Sequence, residues 1–95
     1  MANFLRTQAT YGFKYVKMDF VNCGIVQADS YYNPEVTTAV AAYNEGMDYI
    51  RRQMDKYAMF AAFSIAPLFP YQYANSRRVA CDTWGSIGHL EYCMN

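Results

Sequence analysis

The sequence has no charge to spare and few groups that could hold a metal. Eight Lys and Arg balance eight Asp and Glu, for a formal net charge of zero. No basic stripe is present, which argues against nucleic-acid binding. No apolar run approaches the roughly 18 residues that a membrane-spanning helix needs. The first ten residues lack a charged segment followed by an apolar one, so they do not read as a signal peptide. For an internal slice that absence carries no information on location. There is one histidine, His89, and three cysteines, Cys23, Cys81 and Cys93, none of them in a CxxC pair. That set does not suit a structural zinc site, and an odd number at wide spacing does not suit a disulfide framework. Each cysteine reads most simply as a small buried hydrophobe.

What is plentiful is apolar and aromatic. Of the 95 residues 54% are apolar and 18% aromatic, which suits a piece buried on several sides better than a free-standing mini-domain. Ten Tyr, six Phe and one Trp hint at carbohydrate or partner contact, although most read as core.

Residues 1–11 read as the end of a helix, with Phe4, Leu5 and Gln8 on neighbouring turns and Gly12 as its stop. Residues 13–21, rich in β-branched and aromatic side chains, read as a strand. Period two puts Val16, Met18 and Phe20 on one face and Lys17 and Asp19 on the other. A polar loop follows over 22–32. Asn33, Pro34 and Glu35 are a cap, a first-turn proline and a first-turn acid, predicting a helix from there to about Lys56. Val36, Val40, Tyr43, Met47, Ile50, Met54 and Tyr57 make one apolar stripe along it, a core face. Residues 59–67 are a near-continuous apolar run, as in a parallel strand covered on both faces. Residues 68–77 form a loop or short helix, 77–84 a third strand ending in Asp82, and 85–95 the first turns of another helix.

Strands alternating with helices imply right-handed crossovers and a parallel sheet. Three parallel strands with both outer edges unpaired make an uncomfortable domain. A (β/α)8 barrel takes about 250 residues. The chain therefore reads as α/β, a partial TIM barrel of about three consecutive βα units from the middle of one catalytic domain.

Asp19 and Asp82 end two different strands, and in such a barrel the carboxyl ends of the strands hold the active site. With one strand between them, the two ends lie about 10 Å apart at the backbone. Retaining glycosidases need about 5–5.5 Å between their two carboxyl groups, a gap that inward-leaning side chains can close. An aspartate at a strand end can equally cap the next helix, and Asp82, before Thr83-Trp84-Gly85, has that alternative.

Tyr15-Val16-Lys17-Met18-Asp19-Phe20 resembles the nucleophile strand of the α-galactosidase superfamily, glycoside hydrolase families 27 and 36, with its Lys-x-Asp motif. Arg78-Val79-Ala80-Cys81-Asp82-Thr83 resembles the family's Arg-x-x-x-Asp motif. As in the family, a loop, one long helix and one strand separate the two. Ser64-Ile65-Ala66-Pro67-Leu68 looks like the intervening strand end, where Ser64 stands at a position that many members fill with a sugar-contacting cysteine. Ala80 and Cys81 stand where a Gly-Pro pair is common. The resemblance runs from about Gly12 to Asn95.

It implies a retaining exo-glycosidase acting on α-galactosides or related glycosides, with Asp19 as nucleophile and Asp82 as acid/base. Lys17 and Arg78 would bind the sugar, with Ser64 at the strand end between them. Lys17 shares a strand face with Asp19, so its charge favours the ionised carboxylate. Arg78, by the same period, shares a face with Asp82. Trp84 and Tyr71 are candidates to stack on the sugar, or to pack. Two carboxylates need no metal or organic cofactor. The partner is then a carbohydrate, not nucleic acid or a membrane. By itself the chain is expected to be inactive and to self-associate through its open strand edges. The rival is a non-catalytic barrel piece serving as an assembly or interaction module.

Overall fold

The structure is a computed structural model and describes residues 1–78, 80 and 82–95. Helix α1 (Ala2–Thr10) leads through Gly12, at φ +89°, into strand β1 (Tyr15–Met18). A 3₁₀ turn (Val21–Ile25) and a loop precede helix α2 (Ala39–Lys56). Strands β2 (Phe60–Phe63) and β3 (Ser76–Arg77) and helix α3 (Ile87–Met94) complete the order. The three strands form one parallel sheet, β1-β2-β3. Among the described residues no helix is long and apolar enough to cross a membrane.

Register fixes what each face carries. Val16 and Met18 of β1 lie beside Ala61 and Phe63 of β2. Together with Leu5 of α1 and Tyr43, Met47 and Met54 of α2, that face makes the core. The other face holds Tyr15 beside Phe60 and Lys17 beside Ala62, with Ser76 next in register, and Tyr15, Phe60 and Lys17 are exposed on it. The molecule is accordingly a slab of 46 × 39 × 18 Å, with a radius of gyration of 15.7 Å. A closed domain of this length would have about 12 Å. Burying the stripe of α2 stabilises one side of the sheet only.

Opposite the carboxyl ends of the strands, the parts are clamped by side chains. Asn75 exchanges two bonds with Ala61: its N–H donates to the Ala61 carbonyl (2.9 Å), and its Oδ1 accepts the Ala61 N–H (2.8 Å). The same Oδ1 accepts from Arg51 Nη1 of α2 (2.9 Å), and Arg51 is held in turn by Asp55 (2.8 Å). The amide side chain thus acts as one more residue of strand ladder.

Several expectations need correction. Helix α2 starts five residues late. Its cap is Thr38, whose hydroxyl accepts the Ala41 N–H at 3.1 Å. Asn33 instead closes a local turn on the Glu35 N–H (3.1 Å), which short polar side chains do as readily as capping. The stripe consequently loses its upper end. Val36 lies outside the helix, Val40 is 52% exposed, and Ala39 is buried in its place. Phe20 does not continue the face of Val16 and Met18. It adopts φ 53° outside the strand and is exposed.

The third strand is Ser76–Arg77 rather than 77–84; Ala80 and Asp82 are not in it, and Val79 and Cys81 lie outside the described residues. Of the loop or short helix expected over 68–77, the structure has the loop, over 68–75. Cys23 is exposed and Cys93 only half-buried, so neither is the buried hydrophobe expected, and Cys81 lies outside the described residues. The aromatics are mostly not core. Tyr43, Phe63 and Tyr73 are buried, whereas Tyr15, Phe20, Tyr32, Phe69, Tyr71, Trp84 and Tyr92 stand exposed. Tyr15 lies on the exposed sheet face and Tyr92 on α3, which buries no residue; the others lie in turns and loops.

Candidate functional site

Two neighbouring strands end in the same unusual way. Asp19 follows β1 and Ser64 follows β2, and each is succeeded by a residue in the left-handed region, Phe20 at φ 53° and Ile65 at φ 50°. For bulky and β-branched residues that conformation is uncommon and costs free energy. Main-chain bonds hold both turns. Ser64 N–H donates to the Met18 carbonyl (2.8 Å) and Asn22 N–H to the Ile65 carbonyl (2.8 Å). Strain kept at strand ends is a feature of functional sites.

The turn at Phe20 aims its own N–H at the Asp19 carboxylate, Oδ1 at 3.0 Å. That bond is the main cause holding the Asp19 carboxyl below the usual carboxylate range, against a smaller upward pull from desolvation. The Ser64 hydroxyl and the Lys17 ammonium add to the lowering. Lys17 Nζ lies 3.6 Å from Asp19 Oδ2, both side chains about half exposed. Ser64 is 2% exposed, and its Oγ has no hydrogen-bond partner. It is near enough to Asp19 to favour the ionised form without closing to bonding geometry. A buried hydroxyl left open is costly unless something completes it.

Arg78 follows β3, its N–H donating to the Phe63 carbonyl at 3.0 Å. Its guanidinium meets Asp82, Nη1 to Oδ1 2.6 Å. The expected shared strand face is not the cause of this pairing. In a strand the two Cα atoms would stand about 13 Å apart, and Ala80 lies in a bend between them. Exposed ion pairs of this kind add little to stability, so neither pair is explained as a fold support.

Lys17, Ser64 and Arg78 line one depression of about 350 Å³ on the open sheet face, together with Tyr15, Ala62 and Ser76. Asp19 is not in that lining; with Lys17 it lines a separate depression of about 540 Å³ beside Met1, Phe4, Val16 and Met18, and Asp82 meets the first depression only through its pair with Arg78. Strand order sets the β1 and β3 ends two strand spacings apart, about 10 Å. Trp84 is 78% exposed in the segment before α3 and is not in that lining; Tyr71 is exposed too. Tyr15 and Phe60, which sequence reasoning did not single out, stack at 5.6 Å on the amino-terminal side of the same face. Only the register reveals them, since neither carries a motif. Among the described residues no group of three or more His, Cys, Asp or Glu converges as metal ligands.

The chain matches no family model, no curated protein and no solved structure. The likeness to the α-galactosidase superfamily therefore rests on the residues quoted above.

Lys17, Ser64 and Arg78 thus bring an ammonium, a buried hydroxyl and a guanidinium to one depression, with Asp19 beside Lys17 and Asp82 beside Arg78.

Proposed function

We propose that this chain carries the two catalytic carboxylates of a retaining, exo-acting glycoside hydrolase of the α-galactosidase type, housed in a (β/α)8 barrel of which it forms about three units. One observation carries the reading. The Lys17–Asp19 pair and the unpartnered Ser64 hydroxyl sit at the carboxyl ends of adjacent parallel strands, with the Arg78–Asp82 pair just beyond the third.

The open sheet face supports it as well. From bottom to top it runs from the Tyr15–Phe60 stack to Lys17, Ala62 and Ser76, and then to Ser64 and Arg78. Polar groups gathered at the carboxyl ends of parallel strands are what the catalytic face of a barrel needs.

In the mechanism, an Asp19 oxygen attacks the anomeric carbon while Asp82, which must first have taken up a proton from water, gives it to the departing glycosidic oxygen. A glycosyl ester on Asp19 results. Asp82, now a carboxylate, takes a proton from water as the water attacks the same carbon, and the ester bond breaks. Lys17 and Ser64 would hold sugar hydroxyls, and Arg78 would orient Asp82. Trp84 is kept as a candidate for the outer wall.

The test is turnover of aryl α-galactosides by the full-length protein. Asp19→Asn should abolish it with every leaving group. Asp82→Asn should spare the first step on substrates with good leaving groups, and azide should rescue it by attacking the glycosyl ester. Equal loss in both variants with every leaving group, and no rescue, would mean that the roles are misassigned.

A second reading has its own observation. Among the described residues β1 and β3 each pair only with β2, and the open face is broad, as expected of a piece that assembles with other chains. A full-length protein that binds partners and turns over no glycoside would favour it.

A further inference from the structure

A second concave surface lies on the other side of α2, away from the sheet. The loop carrying Tyr31, Tyr32 and Asn33 folds back along the helix and leaves a groove of about 440 Å³. That volume is in the range of small-ligand sites. The loop is tied to the helix at two points: Gln27 Oε1 accepts the Ala39 N–H (2.9 Å), and Asn33 Nδ2 donates to Glu45 Oε2 (3.5 Å).

We propose that this groove is a carbohydrate-binding site, independent of the catalytic reading, that takes a neutral oligosaccharide by stacking. Three features select that occupant. Tyr31, Tyr32 and Tyr49 bring flat rings to one groove, and Tyr32 is fully exposed with no fold role to explain it. Rings of this kind suit the apolar face of a pyranose.

Glu45 and Arg52 stand at the groove's two ends, seven residues and so about 10 Å apart along α2, with Tyr49 between them. Among the described residues Arg52 makes no ion pair. One carboxylate accepts from hydroxyls and one guanidinium donates to them. They cancel in charge. Finally, Gly46 opens the groove floor, since a Cβ built there meets nothing within 4 Å. A glycine inside a helix is unfavourable by about 1 kcal/mol relative to alanine, and the space it leaves is the groove itself.

The experiment is calorimetric titration of the full chain with maltotriose and with cellotriose, neutral sugars that lack galactose and so do not probe the α-galactoside site. At least one should bind at millimolar concentration. Tyr49→Ala should weaken that binding by about tenfold or more. Gly46→Leu should abolish it while leaving the thermal midpoint unchanged or raised, because leucine favours the helix and fills only the groove. Asp19→Asn should leave it unaltered, which separates this site from the catalytic one. The proposal is overturned if neither sugar binds, if Gly46→Leu binds as well as the parent chain, or if Asp19→Asn removes binding. It is equally overturned if a proline-rich peptide, and not a sugar, is what Gly46→Leu excludes.

Discussion

Replacing Asn75 by alanine should cost the fold far more than an exposed polar residue usually does. Its Oδ1 accepts two hydrogen bonds, from the Ala61 N–H at 2.8 Å and from Arg51 Nη1 at 2.9 Å. Ala61 is fully buried, so its N–H would find no water in exchange. An orphaned buried donor costs about 1–3 kcal/mol, and the lost bond to a charged group about 1.5–3 kcal/mol. Arg51 is only 18% exposed and keeps Asp55, so the second loss is partly recovered, and shared partners are not additive. We expect a loss of about 2–4 kcal/mol. In urea that moves the midpoint by about 1–2 M, for slopes of order 2 kcal/mol/M. Asn75→Asp, which keeps the acceptor and gains attraction to Arg51, should lose less than half as much. The measurement is urea unfolding followed by far-ultraviolet circular dichroism. A loss below about 0.5 kcal/mol, or an aspartate variant as damaged as the alanine one, would show that Asn75 is no part of the ladder.

Ala58 follows α2 at φ 51°, where glycine is the natural residue; Ala58→Gly should stabilise the chain by about 1 kcal/mol, read from the same unfolding curves. The lowered pKa of Asp19 means that its contribution to stability is complete above the ordinary carboxylate value of 3.8 and is lost as the pH falls through the lower folded-state value. Asp19→Asn should therefore flatten the acid limb of stability, and identical acid profiles for the two proteins would rule this out. The isolated chain should self-associate, since β1 and β3 offer open edges. Light scattering checks this, and an aryl α-galactoside assay of the same sample should read zero. A monodisperse monomer with turnover that Asp19→Asn removes would refute it.

Much of the scaffold is legible in the sequence because it obeys simple periods. Val16 and Met18 against Lys17 and Asp19 define β1 and its faces, and the unbroken apolar run around Ala61 to Phe63 defines β2. The spacing of Tyr43, Met47 and Met54 finds α2 but not its first turn. Asn33 and Thr38 are both good caps, and only the tertiary bond from Ala39 N–H to Gln27 Oε1 (2.9 Å) selects the later start. The clamp by Asn75 and Arg51 was not legible, because an amide imitating backbone leaves no periodic trace. For the site, period two brings Lys17 to Asp19. The meeting of Arg78 with Asp82 depends on a bend that no spacing announces. The left-handed turns at Phe20 and Ile65 break residue preference outright, and local propensity is a poor guide where backbone strain is retained.

Those two turns have a consequence for how such a site can change over time. The heading of Asp19 is set by the Phe20 N–H, and the turn at Phe20 is laced to β2 through Asn22 N–H and the Ile65 carbonyl. All of these are main-chain groups, present whatever side chain occupies positions 20, 22 and 65. Side chains around the carboxylate can therefore change, within what a left-handed backbone at positions 20 and 65 tolerates, while Asp19 keeps its orientation.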